Sequence, residues 1–256
     1  MSQLSPSVLC VIPARFASQR FPGKPLVDIA GKPMIQRVWE CASEVARLDA
    51  VVIATDDERI ESVARDFGAT VMMTDPAHAT GTDRVWEVAQ HYPQHGLILN
   101  LQGDEPQMRS SHLESVLDLS AEQPQGDIYT VVNQMSDPTD WHNPNVVKAV
   151  LTSTGKALYF SRAAFPYDRS QSAVQGVGQG FSAEHTYRHL GLYLYRREAL
   201  AAMTATPPCA LEKLESLEQL RAFEIGLSIY AKCVVGESMG IDTPEDLQRL
   251  LPLLGA

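Results

Sequence analysis

The stretch VLCVIPARFASQRFPGKPL, residues 8–26, joins an apolar run to a loop with three cationic side chains. Residues 8–12 are apolar throughout, which is typical of a strand buried on both faces of a parallel sheet. We expect Pro13 to end this strand. The loop after it contains Arg15, Arg20 and Lys24. Because open α/β sheets bind ligands at the carboxyl ends of their strands, this loop is predicted to bind a polyphosphate.

The loop is not a standard phosphate-binding motif. A Walker A loop has Gly five residues before its Gly-Lys pair and Ser or Thr after it, whereas Ser18 and Pro25 occupy these positions. The chain also has no GxGxxG motif. A surface loop with solvated charges is therefore the alternative to a phosphate site.

Composition narrows the class of protein. The chain has 256 residues, of which 45% are hydrophobic, enough for one large or two modest globular domains. Its formal net charge of −10 argues against a nucleic-acid-binding protein, which would normally be basic. The four cysteines form no CxxC or zinc-site spacing, so we expect them to be reduced. No apolar run approaches the roughly 18 residues of a membrane span, so we expect no membrane partner and a cytoplasmic location.

Strand and helix patterns alternate over the first part of the chain. Strands are expected at residues 8–12, 50–54 and 70–73, with amphipathic helices between them. This order predicts a doubly wound, Rossmann-like parallel sheet. Asp56 and Asp57 stand at the start of the second helix, where capping is favoured over catalysis.

Gly81 and Thr82 precede a further helical pattern. Thr82 is expected to cap this helix. A Gly-Thr turn at a helix start also exposes backbone groups that could read the edge of a base. Capping and base recognition are both open at this point.

Asp104 comes after the next predicted strand, residues 97–102, at its carboxyl end. Mg²⁺ takes one or two carboxylates together with phosphate oxygens of a substrate. Asp104 is therefore a candidate metal ligand that faces the cationic loop across neighbouring strand ends. A plain turn residue is the alternative.

The regular alternation is lost after Asp127, and we interpret the part of the chain beyond this residue as an insertion or second lobe. Around its low-complexity stretch, residues 170–182, stand the cationic side chains Arg162, Arg169, Arg188 and His189. For so acidic a chain, this cluster indicates an anionic substrate, with a solvated face as the alternative. Further on, residues 211–225 are predicted to form a single amphipathic helix with Leu211 and Leu214 in its apolar stripe. Asp242 lies just before a capping box that begins at Thr243, so the helix does not need its carboxylate.

Nine segments, in this order, resemble the bacterial 3-deoxy-manno-octulosonate cytidylyltransferases. They are VIPARFASQRFPGKPL, GTDRV, NLQGDEP, NPNVVK, ALYFSR, FPYDR, YRHLGLYLYR, LEKLESLEQLR and GIDTPEDL. The resemblance covers nearly the whole chain. The departures include Phe16 where Tyr is frequent, Gln19 where Thr is frequent and Asp83 where Glu is frequent; they concern fine substrate preference and not the reaction.

The resemblance implies an α/β, Rossmann-like nucleotide-diphospho-sugar transferase fold with a mixed, mostly parallel sheet and an inserted smaller lobe. Residues 1–126 would bind CTP, residues 127–196 would form the sugar-acid and dimerisation lobe, and residues 197–256 would complete the main domain. The implied reaction joins CTP and 3-deoxy-D-manno-octulosonate (Kdo) to give CMP-Kdo and pyrophosphate, which activates Kdo for lipopolysaccharide synthesis. A cytoplasmic homodimer is expected.

The matching segments also imply roles for individual residues. The CTP-binding residues would be Ala14, Arg15, Ser18, Lys24, Gly81, Thr82 and Gln102. The catalytic residues would be Arg15, Lys24, Asp104 and Asp242, of which Asp104 and Asp242 would hold Mg²⁺. The sugar-acid pocket would be lined by Arg162, Arg169, His189, Tyr193, Glu218 and Gln219.

Two other functions remain open from the sequence. One is a CMP-activating enzyme for another acidic sugar, such as 8-amino-Kdo or a sialic acid, because its base and metal motifs would change little. The other is a CTP-binding protein that has lost catalysis. The joint presence of Lys24, Asp104 and Asp242 argues against the second.

Overall fold

The computed structural model describes residues 6–17, 21–173, 176–236, 240–241 and 243–254. Its strands are β1 (Val8–Ala14), β2 (Asp28–Ile29), β3 (Lys32–Pro33), β4 (Ala50–Thr55), β5 (Thr70–Met73), β6 (Leu97–Leu101), β7 (Ile128–Gln134), β8 (Lys148–Leu151), β9 (Ala157–Ser161), β10 (Tyr187–Arg196) and β11 (Ile229–Cys233). Its α-helices are α1 (Met34–Ser43), α2 (Glu58–Asp66), α3 (Gly81–His91), α4 (Ser110–Glu122), α5 (Pro138–His142), α6 (Arg197–Ala205), α7 (Ala210–Glu215), α8 (Gln219–Glu224) and α9 (Pro244–Leu250). Within these described ranges, no helix combines the length and the apolar character that crossing a membrane requires.

The chain clusters into two compact units. The first consists of residues 1–114, 191–204 and 237–256, and the second of residues 115–190 and 205–236. The boundaries fall inside α4 and β10, so they do not coincide with the predicted parts 1–126, 127–196 and 197–256. In particular, residues 205–236 cluster with the second unit. The predicted three-part division stays a prediction.

The sheet of the first unit confirms the predicted α/β class. Its strands have the order β10–β6–β1–β4–β5. β6, β1, β4 and β5 are parallel, and residues 192–196 of β10 run antiparallel to β6. All seven residues of β1 are buried, as expected for an apolar strand at the centre of a parallel sheet.

β1 continues through Pro13 to Ala14, so the prediction that Pro13 ends the strand is wrong. Its pairing with β4 extends to Ala14, whereas its pairing with β6 stops at Val11. Beyond Val11 one flank of the strand has no ladder partner among the described strands. A proline, which cannot donate to a ladder, is tolerated at such a position.

The helix starts agree with the predictions in two of three cases. Asp57 caps α2 by accepting a hydrogen bond from the Arg59 amide, and Thr243 forms the expected capping box at α9. At α3 the prediction is wrong, because the cap is Thr80 and not Thr82. Thr80 Oγ1 accepts from the Asp83 amide at 3.2 Å, and Asp83 Oδ2 accepts from the Thr80 amide at 3.1 Å. This reciprocal pair satisfies two N–H groups at the helix start, which Thr82 could not do.

The second unit combines both strand directions. β11 and β7 pair in parallel, while β8 runs antiparallel both to β9 and to residues 187–188 of β10. Trp141 is 1% exposed and packs with Met135 and Val146 in a local core. This arrangement departs from strict βα alternation, as the sequence indicated for this part of the chain.

The predicted single helix over residues 211–225 is wrong, because the chain forms two short helices, α7 and α8. Ser216, with a φ of 52°, adopts the left-handed conformation and ends α7. The break removes the predicted apolar stripe. Leu211 and Leu214 are 44% and 81% exposed, whereas Leu217 and Leu220 are buried.

The four cysteines are free thiols, as predicted from their spacing. Burial raises the pKa of the Cys41 thiol to about 12. Burial also raises the pKa of Cys10 above its ordinary value. Both thiols are therefore protonated and unreactive at neutral pH.

Candidate active site

Lys24 and Asp104 meet at the carboxyl edge of the first unit's sheet. Lys24 Nζ donates to Asp104 Oδ2 at 2.7 Å, and the lysine is only 9% exposed. Lys24 begins a short 3₁₀ helix directly after Gly23, whose φ of 72° turns the chain in the left-handed region. The Phe16 ring lies 3.1 Å from the position of a Cβ at Gly23, so a larger residue would be strained and crowded there. The structure thus brings the cationic loop and the acidic turn together.

The Asp104 turn is held against two other segments. A Cβ at Gly103 would lie 2.7 Å from the carbonyl oxygen of Pro13, so only glycine allows this approach of β6 to β1. The Ile241 amide donates to the Asp104 carbonyl oxygen at 2.9 Å. This bond holds Ile241 against the Asp104 backbone. The next residue, Asp242, lies outside the described residues.

Arg15 links the end of β1 to the segment before α3. Its NH2 donates to the His78 carbonyl at 2.6 Å and its NH1 to the Ala79 carbonyl at 3.3 Å. The side chain is half-buried. These two contacts leave part of the guanidinium for a phosphate, and the predicted phosphate role of Arg15 stays a prediction. Ser18, which was predicted to share that role, lies outside the described residues.

Three of the predicted nucleoside-binding positions lie close together. A Cβ at Gly81 would be 3.5 Å from Pro13 Cγ and 3.7 Å from Gln102 Oε1, and Ala14 is the next residue after Pro13. Thr82, in the first turn of α3, is 7% exposed. The end of β1, the start of α3 and the residue after β6 are therefore neighbours. An amide and the backbone groups of a helix start can recognise a polar heterocycle there.

The residues near Asp104 fit Mg²⁺ by their donor type. Asp104 offers a carboxylate that is 34% exposed and faces the ammonium of Lys24. Over the described ranges, no group of three or more His, Cys, Asp or Glu side chains could hold a metal ion. Within those ranges, such side chains alone do not complete a coordination sphere, and Mg²⁺ does not require that they do. It typically binds through one or two carboxylates plus phosphate oxygens and water.

The predicted sugar-acid residues are divided between the two units. Tyr193 belongs to the first unit. The members in the second unit are Arg162, Arg169, His189, Glu218 and Gln219. Glu218 and Gln219 stand at the start of α8, where Gln219 is 5% exposed. Arg169 is an exposed residue in the 3₁₀ helix Arg169–Gln171.

Arg162 is bound to the protein backbone. Its Nε donates to the Glu215 carbonyl at 2.6 Å, its NH1 to the Pro144 carbonyl at 2.9 Å and its NH2 to the Ser216 carbonyl at 3.4 Å. The Glu215 carboxylate in turn accepts from the Arg162 amide at 2.8 Å. Arg162, the residue after β9, thus clamps this strand to the end of α7, four residues before Gln219.

Lys148 completes this clamp. It is fully buried, and its ammonium donates to the carbonyls of Asn143, Val146 and Arg162 at 2.9, 2.7 and 2.6 Å. Burial, and next the charge of Arg162, lower the pKa of Lys148 to about 8. The three carbonyls occupy all three donor positions of the ammonium.

His189 is held inside the second unit. Its Nε2 lies 3.0 Å from Thr130 Oγ1, and its ring meets the edge of Phe160 with centroids 5.1 Å apart. Burial lowers the pKa of His189 well below its usual range, so the imidazole is neutral at neutral pH. His189 therefore adds no positive charge to the predicted cationic cluster, although it can still exchange hydrogen bonds with a hydroxyl group.

Tyr193 lies on β10 opposite Asn100 of β6. Its ring stacks on Tyr195 with centroids 5.8 Å apart. Next to it, a Cβ at Gly191 would lie 3.1 Å from Glu105 Oε1 and 3.6 Å from Gln102 Cγ. β10 thus contributes one wall beside Gln102.

Three residues that organise these contacts were not identified from the sequence; they are Asn100, Lys148 and Glu215. Asp56, for which capping was favoured, does not cap α2, and its carboxylate instead pairs with the fully buried Arg84 at 2.9 Å. A lysine or asparagine inside an apolar strand was the available signal for Lys148 and Asn100.

Comparison with known proteins agrees with this geometry. A family model described as cytidylyltransferase matches residues 9–229. The 3-deoxy-manno-octulosonate cytidylyltransferase of Syntrophotalea carbinolica is 45% identical over 248 residues, which cover 95% of this chain and 97% of that protein. The enzyme of the same name from Geobacter sulfurreducens is 43% identical over 249 residues, covering 97% and 99%.

Solved structures give the same result. A CMP:2-keto-3-deoxy-manno-octonic acid synthetase complexed with CTP superposes with a TM-score of 0.88 at 38% identity, covering 97% of this chain and 98% of that chain. The 4-diphosphocytidyl-2C-methyl-D-erythritol synthase of Anaerococcus prevotii has a TM-score of 0.65 at 12% identity, which shows a shared fold alone. The chain belongs to the 3-deoxy-manno-octulosonate cytidylyltransferase family.

Proposed function

We propose that this chain transfers the CMP group of CTP to Kdo and releases pyrophosphate. The observation that carries the proposal is the contact between Lys24 and Asp104, which joins the cationic loop and the acidic turn at one sheet edge. Relatives that bear this activity as their name align over nearly the full chain. The same activity would make CMP-Kdo available for lipopolysaccharide synthesis.

The reaction needs no covalent link to the protein. The anomeric oxygen of Kdo forms a bond to the α-phosphorus of CTP, and the bond from that phosphorus to the bridging oxygen breaks. Pyrophosphate leaves, and the hydroxyl proton passes to water. Positioning and charge neutralisation are sufficient for such a transfer.

Lys24 and Arg15 are the residues assigned to the triphosphate. The Lys24 ammonium is already desolvated and directed toward Asp104, so it can bind a phosphate oxygen without a large rearrangement. Arg15 is oriented by two backbone carbonyls. Both contacts would be charge-assisted hydrogen bonds, which are about twice as strong as neutral ones.

Asp104 and Asp242 are the residues that would hold Mg²⁺. When bound, the ion supplies positive charge to phosphate oxygens and lowers the pKa of a coordinated hydroxyl group. The exposed face of the Asp104 carboxylate and the backbone bond between Ile241 and Asp104 support this assignment.

The sugar acid would be recognised by the residues that the family resemblance names. Arg169 is exposed and can offer two parallel N–H donors to a carboxylate. His189, Tyr193, Glu218 and Gln219 would bind the hydroxyl groups of the sugar. Arg162 would act through its clamp on the α7 end, which fixes the start of α8.

The chain is further proposed to work as a cytoplasmic homodimer. The second unit exposes Leu158, Leu211 and Leu214, which are 58%, 44% and 81% accessible. An interface between copies would remove these leucine side chains from water. Light scattering of the purified chain, with Leu214→Asp as the perturbed variant, tests the dimer.

A pyrophosphate-release assay tests the proposed function. The purified chain, CTP and Mg²⁺ are combined with Kdo, 8-amino-Kdo and N-acetylneuraminic acid in separate reactions. We expect the highest kcat/KM with Kdo. Release that is fastest with another sugar acid would change the substrate, and CTP binding without any release would identify a non-catalytic homologue.

A further inference from the structure

Asn100 is a buried polar residue in the middle of an apolar strand. It lies in β6 within the sequence LILNL and is 1% exposed. Its Oδ1 accepts a hydrogen bond from Gln102 Nε2 at 3.0 Å. Its Nδ2 is buried and has no hydrogen-bond partner in the part of the chain that the structure describes.

An unpaired buried N–H group lowers the stability of the folded state. Leucine has the same number of side-chain heavy atoms and the same branching, and it would bring no unpaired N–H group to this strand position. Packing alone therefore does not explain why an amide side chain occupies this position. The hydrogen bond to Gln102 offers an explanation. This hydrogen bond fixes which end of the Gln102 amide faces inward.

With Nε2 directed to Asn100, Gln102 presents its carbonyl oxygen on the other side. Gln102 Oε1 lies 3.7 Å from the Cβ position of Gly81, at the start of α3. Gly191 packs against Gln102 from β10, with its Cβ position 3.6 Å from Gln102 Cγ. Gln102 is thus confined and oriented, and it offers a hydrogen-bond acceptor to the space beside Gly81.

We infer that Asn100 is a positioning residue that makes Gln102 an acceptor for a hydrogen-bond donor of the bound nucleoside. This inference rests on the proposed use of CTP. Two groups of CTP have the required chemistry, the 4-amino group of cytosine and the ribose 2′-hydroxyl. UTP has a carbonyl oxygen instead of the amino group, and dCTP lacks the hydroxyl. Without Asn100, Gln102 can rotate its amide and accommodate the nucleotide that it should reject.

The test compares nucleotide selection by three proteins. Wild type, Asn100→Leu and Asn133→Leu are assayed with CTP, UTP and dCTP at saturating Kdo. Asn133 is the matched control because it is 7% exposed, its Oδ1 also lacks a partner among the described residues, and its Nδ2 bonds to the Gly236 carbonyl and not to Gln102. The readout is the ratio of kcat/KM for CTP to that for each analogue.

We expect Asn100→Leu to lower one of these ratios at least tenfold while its unfolding temperature does not fall. A lower CTP/UTP ratio of kcat/KM assigns the donor to the 4-amino group. A lower CTP/dCTP ratio assigns it to the ribose 2′-hydroxyl. Asn133→Leu should keep both ratios. Asn100→Asp, whose carboxylate still accepts from Gln102 Nε2, should largely retain the selectivity at a lower stability.

Unchanged ratios in an active, folded Asn100→Leu protein would overturn the inference. An equal fall of kcat/KM for all three nucleotides, together with a lower unfolding temperature, would also overturn it. If wild type itself released no pyrophosphate from CTP and Kdo, the proposed function would fail first, and the two failures are thus distinguishable.

A second measurement does not depend on the leucine variant. In wild type labelled with ¹⁵N at glutamine side chains, and with CTP bound, the Gln102 NH₂ protons are assigned by their loss in Gln102→Met. We expect stronger nuclear Overhauser contacts from these protons to the Asn100 side chain than to the nucleotide. Stronger contacts to the nucleotide than to Asn100 would show the opposite amide orientation and overturn the inference.

Discussion

The ammonium of Lys24 lies 2.7 Å from a carboxylate oxygen of Asp104, 80 residues further along the chain. Two residues that sequence reasoning assigned to different ligands, a phosphate and a metal ion, therefore neutralise each other. Each side chain is partly removed from water, and each supplies the opposite charge that the other needs there. In the proposed complex, a phosphate oxygen would become the partner of Lys24 and Mg²⁺ that of Asp104.

Lys24→Ala should lower kcat/KM for CTP more than tenfold. The substitution removes a charge-assisted contact worth upwards of about 1.5 kcal/mol. Arg15→Ala should have an effect of the same order. Steady-state kinetics with varied CTP measure both. The matched control is Lys32→Ala, whose lysine forms a surface pair with Glu40 at 2.7 Å and should change kcat/KM less than about twofold. Near-normal kinetics for Lys24→Ala and Arg15→Ala would refute their assignment to the triphosphate.

Asp242→Asn should keep CTP binding and folding, raise the Mg²⁺ requirement and lower kcat on the order of a hundredfold. The substitution preserves the shape of the side chain and removes its charge. The measurement is a magnesium titration of turnover. Asp66→Asn, at an exposed position at the end of α2, provides the control for a lost surface charge. A wild-type magnesium curve for Asp242→Asn would show that Asp242 only forms part of the turn before α9.

Arg169→Ala should raise the KM for Kdo and leave CTP affinity nearly intact, because Arg169 is an exposed arginine of the second unit. Kinetics with varied Kdo and calorimetry with CTP separate the two effects. Arg65→Ala, which removes an exposed arginine paired with Glu61, should change neither quantity. Weakened CTP binding with unchanged Kdo kinetics would move Arg169 to the nucleotide.

Arg162→Lys should lower the unfolding temperature by about 5–10 °C, because lysine cannot replace three guanidinium contacts to backbone carbonyls. Thermal denaturation is the measurement, and Arg65→Lys at the surface of α2 is the control. An unchanged unfolding temperature together with a raised KM for Kdo would mean that Arg162 binds the sugar acid directly and that its clamp contributes little.

His189 should make the protein sensitive to acid. Its pKa is lowered by burial in the folded state, so the unfolded chain binds a proton more readily below pH 6.5. The stabilisation is complete above that pH and is lost progressively as the pH falls toward the folded-state pKa. Relative to His189→Gln, wild type should lose about 2 kcal/mol of unfolding free energy between pH 6.5 and about 5.

Urea unfolding at a series of pH values measures this difference. His142→Gln, at an exposed histidine of α5, is the control and should show the wild-type curve. A wild type and a His189→Gln variant with parallel pH dependence would contradict the neutral state of the folded-state His189 imidazole.

The sequence was most informative where one local pattern determines one local structure. β5 has the predicted bounds, and the capping roles of Asp57 and Thr243 are determined by residue type and spacing. The α3 cap could also have been found, because Thr80 and Asp83 have the spacing of a capping box.

Other features leave little trace in a sequence. The break between α7 and α8 depends on a left-handed Ser216, and the apolar periodicity runs through it without interruption. The clamp of Arg162 and Lys148 is built on backbone carbonyls, which every residue has. The Arg162 contacts to residues 215 and 216 also join segments more than 50 residues apart, so residue identity alone does not indicate them.

The central claim, that the anomeric oxygen of Kdo attacks the α-phosphorus of CTP on this protein, is tested most directly by isotope transfer. Kdo labelled with ¹⁸O at the anomeric hydroxyl is incubated with CTP, Mg²⁺ and the purified chain, and the product is examined by ³¹P NMR. We expect CMP-Kdo whose phosphorus signal shows the isotope shift of a bound ¹⁸O, with unlabelled pyrophosphate. Absence of CMP-Kdo, or label found in pyrophosphate, would contradict this claim.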